Sequence, residues 1–90
     1  SFDIAFLCCS AIDTKRQSIS VANEAYSQVQ REVISNTRRR YVVADTSKFK
    51  PNAFMQTACF NQISGIITNR EVEDEITLQL KNAGLDLVLV

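Results

Sequence analysis

Short apolar runs with no polar alternation constrain this chain most. Ile4-Ala5-Phe6-Leu7-Cys8, Tyr41-Val42-Val43-Ala44 and Ile66-Ile67-Thr68 each put apolar or β-prone side chains on both faces of an extended segment, and Leu85 to Val90 supplies a last such run. Strands of that kind are buried on both faces, as in a parallel sheet. Two amphipathic patterns separate them. Asn23 is placed as an N-cap with Glu24 in the first turn, and Ala25, Tyr26, Val29, Val33 and Ile34 recur at helical steps. The second stripe is Val72, Ile76, Leu80 and Ala83, with Glu71, Glu73, Asp74 and Glu75 at its start, Lys81 in its last turn and Gly84 as the C′ residue. Phe54 to Phe60 forms a further candidate strand, whereas the polar stretch from Asp13 to Ser20 reads as loop. The order is strand, helix, strand, strand, short strand, helix, strand. This predicts an α/β domain, a mainly parallel sheet flanked by helices.

Composition removes whole classes of function. Ninety residues make one domain with one modest core, and ten basic residues cancel ten acidic ones. A neutral total lacks the attraction on which nonspecific DNA binding depends. Histidine is absent, which excludes a His-based triad or zinc site within the chain. The glycines, Gly65 and Gly84, stand too far apart for a phosphate-binding glycine loop. No run is long enough to span a bilayer, and the start lacks the basic flank of a signal peptide. The absence of an initiator Met suggests a piece of something longer. No metal or other cofactor is expected. Cys8, Cys9 and Cys59 have no metal-ligand spacing, and we expect them to be buried thiols in a reducing cytoplasm.

Ligands of parallel sheets bind beyond the carboxyl ends of the strands. Those ends carry the candidate site residues. Lys48 is the first, because an ammonium is a compact donor suited to phosphate; pairing with Asp45 is its plainer alternative. Asp45 and Asp13 can accept from sugar hydroxyls or brace a turn, and Ser47 can bond nearby backbone amides. Glu24 can reach a ligand from above the sheet or serve only the helix dipole. Arg38, Arg39 and Arg40 form the one basic cluster. We read them as cations near a helix C-terminus whose directions alternate into the next strand.

The same strand ends carry a family resemblance. FDIAF…AID, Asn23-Glu24-Ala25 opening a helix, Ala44-Asp45-Thr46-Ser47-Lys48-Phe49, ISGIITN and AGLDLVLV together resemble the C-terminal sensor domain of DeoR-type transcriptional regulators. The resemblance covers nearly the whole chain and is most specific at Ala44 to Phe49. It implies a fold related to ribose-5-phosphate isomerase, glucosamine-6-phosphate deaminase and the CoA transferases. It implies that residues 1–90 are the second half of a bacterial sensor domain, without its N-terminal helix-turn-helix. Such a domain binds a phosphorylated sugar, meets DNA only through that helix-turn-helix, assembles as a homo-oligomer, works in the cytoplasm and involves no membrane. Glycine is usual near Arg16 and Gln17, after Phe49 and in the turn now written Cys8-Cys9-Ser10-Ala11, and a lysine is usual around Gln28 to Gln30. Larger side chains at those turns narrow the pocket.

Two other readings compete with the sensor. Paired carboxylates Asp13 and Asp45 invite a sugar-phosphate isomerase-like enzyme, although the residues around them do not resemble that enzyme's catalytic stretch. The non-enzymatic reading is the one we carry forward. The departures from glycine also fit an oligomerisation domain that no longer holds a ligand.

Overall fold

A computed structural model describes residues 2–90. Four strands, β1 (Phe2–Leu7), β4 (Thr37–Val43), β6 (Gly65–Thr68) and β7 (Asp86–Leu89), form an all-parallel sheet in the order β1-β4-β6-β7. Helices α1 (Glu24–Ser35) and α2 (Asp74–Asn82) lead into β4 and β7. The expected α/β architecture is therefore present.

The helix ends follow the sequence signals. Asn23 Oδ1 accepts from the Tyr26 N–H at 2.8 Å, the side-chain cap of α1. At the end of α2, Leu85 N–H donates to Leu80 O and Gly84 N–H to Lys81 O. This reciprocal closure needs a left-handed residue at Gly84, whose φ is +83°. The stripe Val72, Ile76, Leu80 and Ala83 does face inward, and Leu80 is wholly buried.

Several expectations are overturned. The segment from Asp13 to Ser20 is not a loop. β2 (Ala11–Asp13) and β3 (Ser18–Val21) form a hairpin, and β5 (Met55–Cys59) joins β3 to make a second, antiparallel sheet in the order β2-β3-β5. The polarity of Ser18 and Ser20 hid the strand. Both are buried, and their hydroxyls bond Asn52 Oδ1 and the Ala53 N–H across the sheet. The helix stripe is also rotated. α1 buries Ser27, Gln30 and Ile34, while Tyr26 and Val29 point to solvent. Finally, Cys8 and Cys59 are exposed and are not core thiols, whereas Cys9 is half-buried against the core. A smaller shift concerns the arginines: β4 begins at Thr37, so Arg38 to Arg40 lie inside the strand. Arg40 folds back to donate to Thr37 O and Gln62 O.

One core joins the layers. Leu7, Val42 and Ile66 of the parallel sheet meet Ile34 of α1, Leu80 of α2, and Ile12, Ile19 and Ala58 of the small sheet. The opposite face of the parallel sheet is bare. β1 was expected to be buried on both faces; it is an edge strand, with Phe2 65% and Phe6 61% exposed. Strand register extends that surface through Tyr41 and Val43 to Ile67 and Val88. Phe6 and Tyr41 stack at 6.4 Å between centroids. Tyr41 then passes over Gly65 to donate its hydroxyl to Asp86 Oδ2 at 2.9 Å.

Candidate functional site

Chain direction gathers the polar loops of the parallel sheet at one rim. Beyond Val43 the chain turns through Ala44 and Asp45 into a single 3₁₀ turn, Thr46–Lys48. Asp45 caps it: Oδ1 accepts from the Ser47 N–H at 2.8 Å and from the Ser47 hydroxyl. These bonds, the hydroxyl first, hold the Asp45 carboxyl below its usual range, with Lys48 and Lys50 adding smaller pulls. Asp45 and Ser47 thus occupy each other, and the turn presents the half-buried Lys48. Cys9, just past β1, belongs to the same neighbourhood. Burial pushes its thiol up to about 11, against the opposing pull of Lys48. A thiol so desolvated is protonated at neutral pH and is no nucleophile.

Asp13 ends β2 in the other sheet and has a different job. Its Oδ1 accepts from the Lys15 and Arg16 N–H groups at 3.1 and 2.9 Å, and its Oδ2 from the Asn52 N–H at 3.2 Å. The Arg16 bond is the main reason its carboxyl lies below the usual value. A carboxylate with both oxygens engaged by backbone is a brace that fixes the hairpin turn against the segment after Phe49. Lys50 N–H donates to Ile12 O beside it. A cavity of about 380 Å³ opens between these two stretches, with Ile12, Phe49, Pro51 and Ile76 as apolar walls and Lys15, Arg16 and Lys50 around them.

The five candidate residues therefore separate. Asp45, Ser47 and Lys48 share one turn, Asp13 stands in the adjoining hairpin, and Glu24 is exposed at the start of α1. Among the described residues Glu24 has no side-chain hydrogen bond or ion pair to the other four. The structure adds polar groups that sequence reasoning passed over. Gln30 is buried and donates from Nε2 to Cys8 O just past β1, while its Oε1 finds no partner among the described residues. Ser27 Oγ, one helical turn away, and Thr68 Oγ1, at the end of β6, are likewise buried without partners among the described residues. The signal for Ser27 and Gln30 was their spacing with Ile34, hidden because the more apolar Tyr26–Val29 stripe competed with it.

Among the described residues no group of three His, Cys, Asp or Glu side chains converges to hold a metal ion. Nor is any helix long and apolar enough to cross a membrane. The scaffold is that of an α/β domain with a parallel sheet, its polar loops collected beyond the strand ends. Family comparison makes the class specific. The profile of the DeoR C terminal sensor domain matches residues 1–70, a span that holds all five candidates and both sheets except β7. The chain belongs to that family, as the Ala44-to-Phe49 motif suggested. It is 31% identical over 68 residues to the L-fucose operon activator of Haemophilus influenzae, covering 76% of this chain and 27% of that protein. It is 25% identical over 88 residues to the HTH-type transcriptional regulator GlpR of Haloferax volcanii, covering 98% of this chain and 34% of that protein. The chain thus spans about a third or less of the curated relatives it matches.

Proposed function

We propose that this chain is the second half of the effector-sensing domain of a cytoplasmic transcriptional regulator, and that the rim around Lys48 receives a phosphorylated sugar. The observation that carries the reading is the capped turn. Asp45 and Ser47 satisfy one another and leave the Lys48 ammonium as the free charge beside the ends of β4 and β1. The partnerless oxygens of Ser27, Gln30 and Thr68 offer hydroxyl-matching groups in the same fold, and the names of the two relatives support a regulatory role. DNA contact falls to a helix-turn-helix outside this chain. The hydrogen bonds of Asp13 and Asp45 speak against a proton-shuttling pair, since each carboxylate is already engaged by its own turn.

The bare sheet face fits the same reading. Parallel sheets are covered on both sides, and the first half of the sensor is the cover we propose. A second copy of this chain is the competing occupant, and sedimentation of the full-length regulator with Phe6→Ser separates the two: dissociation favours the copy. The decisive test of sensing is thermal denaturation of the full-length regulator against a panel of sugar phosphates. A binder raises the melting temperature in step with RT ln(1 + [L]/Kd), and Lys48→Ala shrinks the rise. A panel without any shift and without any change in operator binding refutes the proposal.

A further inference from the structure

We propose that the cavity between the β2–β3 turn and the Phe49–Pro51 segment is a second anion site, shaped for a small phosphate monoester whose carbon body lies against its apolar walls. It is separate from the rim and does not depend on it. Consecutive loop residues line different places: Lys48 stands by Cys9 and is absent from the cavity wall, whereas Phe49 and Lys50 line the cavity, although Lys50 also adds a weak pull on Asp45.

Charge is the first argument. Lys15, Arg16 and Lys50 surround the opening, and Asp13 is the single acidic residue in the lining. Asp13 keeps its charge while three backbone N–H groups fill its oxygens, so it offsets one of the three cations and leaves the lining with an excess of positive charge. Its contact with Arg16 is stretched to 4.0 Å, and among the described residues no other ion pair exists. Lys15 and Lys50 thus have no ion-pair partner among the described residues, and the Asp45 carboxylate acts on Lys50 only weakly. A dianion placed among three cations gains from each, and a monoester phosphate is a dianion near neutral pH.

Shape is the second. About 380 Å³ is the low end of small-ligand pockets. Phe49, Pro51 and Ile76, over the wholly buried Ile12, provide apolar surface for a carbon skeleton, which a bare inorganic ion would leave unused. The walls are also pre-organised. Asp13 ties the turn to Asn52, the Lys50 N–H bonds Ile12 O, and Ser18 and Ser20 fasten Asn52 and Ala53. Little ordering remains to be done on binding. The site also depends on residues particular to this chain, since the resemblance puts glycines near Arg16 and at Lys50.

The test is an amide-shift titration of the full chain with inorganic phosphate, phenyl phosphate, glucose 6-phosphate and phenol. The expected result is that a phosphate ester perturbs Lys15, Arg16, Lys50 and Ile76 at a concentration at least tenfold below inorganic phosphate, and phenol leaves them unmoved. Lys15→Gln with Lys50→Gln, both at exposed positions, weakens that binding tenfold or more, whatever Lys48→Ala does. An affinity unchanged in the double variant overturns the second site, even when Lys48→Ala abolishes binding; the rim then stands alone. Shifts spread over Arg70 and Lys81 as strongly as over the cavity overturn it as general ion pairing. Absence of binding by either ester to the wild-type chain overturns it as well, without bearing on regulation by the rim.

Discussion

Replacing Asp13 by Asn tests how this fold holds its two loops together. The oxygen facing the turn survives, so the Lys15 and Arg16 N–H groups keep an acceptor, though an uncharged one. On the other side an amide NH₂ replaces Oδ2 and meets the Asn52 N–H, donor against donor. Bonds to charged groups contribute about 1.5–3 kcal/mol each, and a buried donor left unpaired costs about 1–3 kcal/mol. One bond lost and two weakened give a destabilisation of roughly 2–3 kcal/mol at pH 7. For a domain of this size that lowers the melting temperature by on the order of 10–15 °C. The pH dependence gives a second handle. The folded Asp13 carboxyl titrates below its ordinary 3.8, so its stabilisation is complete above that pH and is lost as pH falls through the folded value. Asp13→Asn should therefore flatten the acid limb below about pH 4, leaving the part that Asp45 supplies in the same direction. Urea denaturation at pH 7 and across pH 2–5 reads both effects. A variant within about 0.5 kcal/mol of wild type at pH 7, with an unaltered acid limb, would refute the brace.

Gln17 sits at φ 54°, the left-handed region, which costs a residue with a side chain roughly 1–2 kcal/mol. Gln17→Gly should stabilise by about 0.5–1 kcal/mol after its greater chain entropy is subtracted, and Gln17→Val should destabilise; denaturation midpoints moving the other way would contradict the turn geometry. Gly65→Ala puts a Cβ 2.5 Å from Asp86 O and 2.8 Å from the Tyr41 ring, with backbone on one side that cannot step aside. It should cost about 2–3 kcal/mol and lower the Tyr41 titration toward its normal value, because the Asp86 bond that raises it is displaced. Alkylation of the native chain at pH 8 should modify Cys8 and Cys59 quickly and Cys9 slowly, in keeping with a Cys9 thiol near 11; three equal rates would remove Cys9 from its buried place beside Lys48.

Much of this fold was legible because its signals are local. A cap such as Asn23, a C′ glycine such as Gly84 and a stripe such as Ile76–Leu80 act within one helix, and the structure reproduces all three, although α2 begins only at Asp74 and Val72 packs from the turn before it. Apolar runs located the parallel strands but not their neighbours. Nothing in Ile4 to Cys8 distinguishes an interior strand from an edge strand, since the residues that would cover Phe2 and Phe6 are not local to them. The β2–β3 hairpin was missed for a different reason. Its core positions include serines, whose burial is stabilised by partners at Asn52 and Ala53, more than thirty residues away. Asp45 and Asp13 were readable as turn formers from their own neighbours. Asp13's second role, reaching Asn52, needs the tertiary fold.

The braced aspartates explain how one short segment serves two places at once. From Asp45 to Ala53 the chain has a single 3₁₀ turn and no strand, so an unsupported loop of this length would sample many shapes. Asp45 fixes its first half through Ser47, and Asp13, Ser18 and Ser20 fix its second half through Asn52 and Ala53. What is left unsatisfied is cationic: Lys48 on one side, Lys50 with Lys15 on the other. The acceptor oxygens of Asp13 and Asp45 are taken up in building the loop, and Lys48, Lys50 and Lys15 stand beside it without ion-pair partners among the described residues. Exchanging Lys48 and Lys50 for Gln together should leave the fold intact, because neither side chain makes a hydrogen bond or ion pair among the described residues. The same exchange should remove the rim's response to phosphate esters and weaken that of the cavity, where Lys15 and Arg16 remain. A melting temperature lowered by more than about 5 °C in that variant would show that these lysines hold the loop, and would transfer them from recognition to architecture.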